Sequence, residues 1–155
     1  MGFLKKLFYG LRALFINLFY KNVKVDYNVT FADIPFFSKK NKIEIQGYSY
    51  VGINCYFSSD VKIDKNCLIA NNCSFVGGDH KIDNLNTPII FSGRDKLKCT
   101  IIEHNVWIGH GSIILHGVNI KSGSVIGAGS VVTKDTISDG VYAGNPARLI
   151  RKRII

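Results

Sequence analysis

Residues 102–137, set out in sixes, read IEHNVW, IGHGSI, ILHGVN, IKSGSV, IGAGSV, VTKDTI, and residues 45–80 divide in the same way into IQGYSY, VGINCY, FSSDVK, IDKNCL, IANNCS, FVGGDH. Every unit opens on Ile, Val or Phe, and the fifth place is Ser, Cys, Val or Thr in all but the one that carries Asp79. A period of six fits neither the 3.6-residue stripe of a helix nor the two-residue alternation of a half-buried strand. It describes a chain that turns a corner every six residues, burying one large side chain on each flat wall and one small one beside each turn. Three walls close one coil, and equivalent residues of successive coils stack at roughly 4.8 Å, Val51 on Ile69, Ile108 on Ile126 and Cys55 on Cys73. The pattern predicts an all-β chain, a parallel β-helix of about four coils.

A chain of 155 residues is long enough for one core and too short for two ordinary domains. The segments read as an N-terminal amphipathic helix over 1–24, a β-helix domain over 25–138 and a C-terminal cap over 139–155. Gly at the second and fourth places of the units supplies tight corners. The period fails after His80 and resumes near Ile102, which leaves an inserted loop over 81–101, and long loops in compact domains are usually functional. Coils of this kind stabilise one another and need caps at their ends. The last stretch is expected to form a turn, DGVYAGNP, followed by a short basic helix, ARLIRKRII.

Residues 3–20 place Leu or Phe at 4, 8, 11, 15 and 18, one helical face, with Lys5, Lys6 and Arg12 elsewhere on the wheel. Three cations in so short a stretch make a membrane span costly, and no cleavage site for a secretory signal follows. The helix either packs its apolar face on the domain or on a partner subunit, or lies in a membrane interface with Lys21 and Lys24 near anionic lipid. Cys55, Cys67 and Cys73 share one phase of the repeat and, with Cys99, form no C-x-x-C pair, so they read as reduced structural thiols. Those thiols suit a cytoplasmic protein, free or peripheral on the inner membrane face. The formal net charge of +9 favours anionic ligands, but no aromatic-interleaved basic patch points to nucleic acid.

The stretch NVWIGHGSIILHGVNIKSGSVIGAGSVVTKD, followed by GNPARLIRK, closely resembles the hexapeptide-repeat acyltransferase superfamily over about residues 45–153, nearest to the branch of galactoside, maltose and streptogramin acetyltransferases and polysaccharide O-acetyltransferases. The resemblance implies a left-handed β-helix, a homotrimer, and acetyl-CoA as co-substrate with no metal. It also implies that His80, just before the loop, is the general base. A neutral imidazole with a pKa near ~6.5 suits removal of a proton from an acceptor hydroxyl as it attacks the thioester. By the same likeness the His110 amide donates to the oxyanion. Ala128, Thr133, Lys134, Arg148 and Arg151 match the family's cofactor contacts, the cations suiting the phosphates of coenzyme A. Asp79 and Trp107 are assigned to the cleft between subunits, with the Trp107 indole pointing outward at a corner.

His104, His110 and His116 recur at intervals of six, and GHG and LHG resemble the γ-class carbonic anhydrases of the same fold. A step of six sets the three imidazoles on successive walls, so one chain does not gather them on one ion. The expected activity is O-acetylation of a sugar or surface-polysaccharide precursor. N-acetylation of an amino sugar is the rival enzyme, and a non-catalytic scaffold or a metal protein the rivals of other classes.

Overall fold

Three walls of short parallel strands, five, seven and five strands high, enclose the apolar columns that the repeat predicts. The computed structural model describes residues 3–154, with side chains from Leu11 onward, so the expectations for the side chains of Leu4, Lys5, Lys6 and Phe8 lie outside what is described. The first wall holds Val23–Val25, Ile43–Ile45, Val61–Ile63, Thr100–Ile102 and Asn119–Ile120. The second runs Thr30–Phe31, Tyr50–Val51, Leu68–Ile69, Trp107–Ile108 and Val125–Ile126, continues into Gly140–Gly144 and ends on Ala147–Lys152. The third holds Phe36–Phe37, Tyr56–Phe57, Ser74–Val76, Ile113–Leu115 and Val131–Val132.

Val51 stands in register with Ile69, and Ile108 with Ile126. Cys55 and Cys73 are buried in one column, their thiols donating to the Ala70 and Gly109 carbonyls at 3.3 Å each. One coil more than the repeat announces lies upstream of Ile43. Its register step is 20 residues, Val23 to Ile43, against 18 from Ile43 to Val61, because the corner after Phe37 is two residues longer than the corner after Phe57. The loop appears as a step of 39 residues from Val61 to Thr100.

The C-terminal segment corrects the expectation of a helix. Ala147–Lys152 is a strand that folds back antiparallel on Gly140–Gly144, Val141 facing Arg151 and Ala143 facing Arg148. Gly140–Gly144 is itself parallel to Val125–Ile126, so this hairpin gives the second wall's last coil backbone partners that a helix would leave unpaired.

Helix α1 (Phe3–Phe19) seats on the first coil. It does so by the face opposite the Leu and Phe stripe, so of the alternatives left open the packing of that stripe on its own domain is excluded. Ala13 and Ile16 are wholly buried, Asn17 Nδ2 donates to Val25 O at 2.7 Å, and Arg12 donates to Phe31 O at 2.7 Å and to Ala32 O. Leu11, Phe15 and Leu18 of the predicted stripe face away from the domain. Ala13 and Ile16 seat the helix on the coil's end, and the polar side chains of Arg12 and Asn17 reach the carbonyls there.

The four thiols are free. Burial pushes the Cys67 thiol up to about 11, so at pH 8 its thiolate is about one part in a thousand. Iodoacetamide at that pH is expected to label half-exposed Cys99 well before Cys67 in the folded chain, read by peptide mass spectrometry; equal labelling would show that the fifth-place column opens to solvent.

Candidate active site

The third wall organises the candidate residues. At its entry edge, before Ile113–Leu115, stands a corner whose third place is His110, with Ala128 in the same place one coil on. Gly129 N–H donates to His110 O at 2.8 Å, which fixes the two corners on each other. The His110 ring is exposed, with Nε2 at 3.1 Å from Asn72 Nδ2 of the coil below. Among the described residues none accepts from the His110 N–H. Close contact between these coils requires Gly109, since a Cβ there would stand 2.6 Å from Ala128 N.

At the exit edge, after Ser74–Val76, the chain passes through Gly77 and Gly78 into Asp79, His80 and the loop. The loop leaves and returns as a ribbon. His80 bridges Arg94, Lys81 N–H donates to Gly93 O at 3.1 Å, Asp95 N–H donates to Asp79 O at 3.1 Å, and the Arg94 guanidinium donates to Gly78 O. His80 is half-buried, and its Nδ1 is sealed from solvent without a hydrogen-bond partner. One coil on, half-buried His116 holds the Asp79 carboxylate at 3.6 Å through Nε2 and receives Lys98 N–H at 3.3 Å on Nδ1.

Thr133 and Lys134 occupy this same exit edge on the last coil, Lys134 in the place that His116 holds below it. Lys134 and Arg148 line one groove of about 260 Å³ with Val132, Asp135, Tyr142 and Leu149. Arg151 belongs elsewhere, in a groove of about 540 Å³ on the second wall that also contains Trp107, Leu68, Val125 and Arg153. Trp107 lies in the strand Trp107–Ile108 rather than at a corner, half in water, between Leu68 and Val125 of its neighbours. The three recurrent histidines each meet a different residue, His104 with Asp64 at 3.8 Å, His110 with Asn72, and His116 with Asp79.

One chain therefore brings His110 to Ala128, Asp79 to His80, and Lys134 to Arg148, while His80 and His110 stand at opposite edges of the third wall, about 10 Å of strand apart. Residues 99–134 match the family model described as bacterial transferase hexapeptide (six repeats). The solved structure of a maltose O-acetyltransferase from Clostridium difficile 630 is 31% identical, covers 85% of this chain and 67% of that one, and superposes with a TM-score of 0.57.

The chain belongs to the bacterial hexapeptide transferase family.

Its likenesses include galactoside and maltose acetyltransferases. The Galactoside O-acetyltransferase of Escherichia coli (strain K12) is 37% identical over 119 residues, 76% of this chain and 57% of the relative. The polySia specific acetyltransferase NeuO superposes with a TM-score of 0.72 at 33% identity, over 86% of this chain and 57% of that one. The chain spans 55% to 65% of the length of the curated relatives it matches.

Two features of this chain lie beyond the residues that its sequence singles out. The fourth place takes left-handed backbone whether it holds Gly or Asn, as at Asn72 (φ 59°) and Asn105 (φ 59°), and Asn72 thereby stands under the His110 ring. The signal was Asn alternating with Gly in one column. The other is the Asp79–His116 contact, whose signal was the single acidic residue in the fifth-place column.

Proposed function

We propose that this chain transfers acetyl from acetyl-CoA to a hydroxyl of a sugar or surface-polysaccharide precursor, with His80 as general base. The observation that carries the reading is the position of His80, half-buried at the root of a ribbon-like loop and held by its bridge to Arg94. The named activities of the galactoside and maltose relatives support the reaction and the acceptor class.

The imidazole takes the proton of the acceptor hydroxyl while its oxygen attacks the thioester carbon. The tetrahedral oxyanion then receives a hydrogen bond from the His110 N–H. Collapse expels the thiolate of coenzyme A, and the imidazolium returns the proton to it. Lys134 and Arg148, sharing a groove at the last coil, suit the phosphates at the far end of the cofactor. Arg151 and Trp107 face the second wall's groove and suit a contact made outside that site.

His80 and His110 lie at opposite edges of the third wall, so a complete site takes the base from one copy and the oxyanion donor from the next. A closed homotrimer meets that requirement. The apolar loop residues Leu85, Ile90 and Phe91, exposed by 97%, 73% and 78%, suit burial against such a neighbour.

Thiol release from acetyl-CoA, measured against a panel of sugars and amino sugars, is expected to rise with hydroxyl acceptors that carry no amine. A response confined to amino sugars would replace this reading by N-acetyl transfer, and none with any acceptor would leave the scaffold.

A further inference from the structure

We propose that the outward face of helix α1 docks on an anionic phospholipid surface, the helix lying in the plane of the interface. Leu11, Leu14, Phe15, Leu18 and Phe19 are exposed by 53%, 63%, 42%, 71% and 64%. They fall at i, i+3, i+4, i+7 and i+8, one continuous stripe. Ala13 and Ile16, the residues that seat the helix, lie on the opposite side. The apolar stripe thus points away from the only core the chain forms among the described residues.

Charge selects the occupant. The first 42 residues carry eight Lys and Arg against Asp26 and Asp33, a net +6 of the chain's +9. The fold gathers much of it beside the helix. Asn22 Nδ2 donates to Ser38 O at 2.8 Å and to Asn41 O at 2.6 Å, which pins the long corner carrying Lys39 and Lys40 against the turn that follows the helix at Lys21. Lys21, Lys24, Lys39, Lys40 and Lys42 are all exposed, and none is in an ion pair among the described residues. The acids of this region make contacts other than ion pairs with these lysines: Asp26 accepts Gly47 N–H, Asp33 accepts Ile34 N–H, Asp60 accepts Asn41 Nδ2 and Lys42 N–H, and Glu44 pairs with Lys62 at 3.5 Å.

An apolar stripe on a chain end with this excess of lysines outside ion pairs disfavours a second copy of itself and complements an anionic bilayer. No helix among the described residues is long and apolar enough to cross a membrane, so the contact is in-plane. The helix sits on the first coil, below the strand that leads to His80, so docking leaves the candidate active site uncovered.

The test is sedimentation of the full chain with vesicles of phosphatidylcholine alone or mixed with phosphatidylglycerol. Binding is expected only to the mixed vesicles and to weaken with salt. Lys39→Glu with Lys40→Glu is expected to lower affinity about fivefold or more per residue. Leu14→Glu with Leu18→Glu, at positions without buried contacts, is expected to abolish binding while thermal midpoint, oligomeric mass and acetyl transfer stay unchanged, which separates this proposal from the proposed chemistry. Absence of binding at low salt overturns it, as does unchanged binding of the Leu variant. A drop in oligomeric mass of that variant would assign the stripe to a second copy instead.

Discussion

Replacing His80 with Ala is expected to lower acetyl transfer by about 10²–10⁴-fold, the contribution of a positioned general base. The side chain is not a support of the coil, since His80 lies outside the buried core and its Nδ1 makes no hydrogen bond. The loop around it is held instead by main-chain contacts of Lys81 and Asp95 and by Arg94, none of which uses the imidazole. Circular dichroism, thermal midpoint and elution volume should therefore match the parent chain. Rates are read by thiol release at saturating acceptor, so that a binding defect is not mistaken for lost chemistry. Parent-like turnover in this variant would remove His80 from the mechanism, and His116, which holds neighbouring Asp79, would become the imidazole to examine.

What the amino-acid sequence discloses depends on whether a residue's job repeats. Ile108 and Ile126 do the same work one coil apart, so their column is visible as a period, and the register follows from it. The first coil is hidden because its corner is two residues longer, which puts Val23 and Thr30 out of phase with everything downstream. The C-terminal segment misleads for another reason. Ala147 to Lys152 is a run of good helix formers, but Val141 and Tyr142 continue the second wall and present an open edge beside it, and tertiary pairing outweighs propensity. The helix stripe at Leu11, Phe15 and Leu18 reads as a face but leaves open whether that face packs, because periodicity records amphipathicity and not which side meets the core.

The same limit applies to the site. His80, Lys134 and Arg148 can be picked out by likeness, and the fold puts Lys134 and Arg148 in one groove. The placing of His80 and Lys134 on one edge of the third wall, of His110 on the other and of Arg148 on the second wall is a property of the winding, invisible until each residue is assigned its place in a coil. Asn72 illustrates this: its left-handed backbone sets its amide against His110, 38 positions along the chain.

Substituting Phe57 with Ala is expected to cost about 3–5 kcal/mol of stability, the range for deleting a large buried aromatic side chain. Phe57 is the middle of a column inside the third wall, with ring centroids 5.4 Å from Phe37 below and 4.7 Å from Phe75 above. All three rings are buried. The strand that carries Phe57 is tied by parallel ladders to the coils above and below, so it cannot collapse into the gap independently, and most of the lost volume remains as a cavity. A fall in the thermal midpoint of roughly 6–20 °C follows for a chain of this size. Phe36 and Tyr56 form the control, since their rings stack at 4.6 Å on the outside of the same strands and are exposed by 54% and 41%. Phe36→Ala should cost about 0.5–1.5 kcal/mol, the worth of an aromatic pair beyond burial. If denaturant titration gives equal losses for the two variants, the aromatic column is not what holds the third wall. His80 is five residues beyond Phe75 on that wall, so transfer activity in the Phe57 variant should fail at a lower temperature while its rate at 10 °C stays close to the parent's.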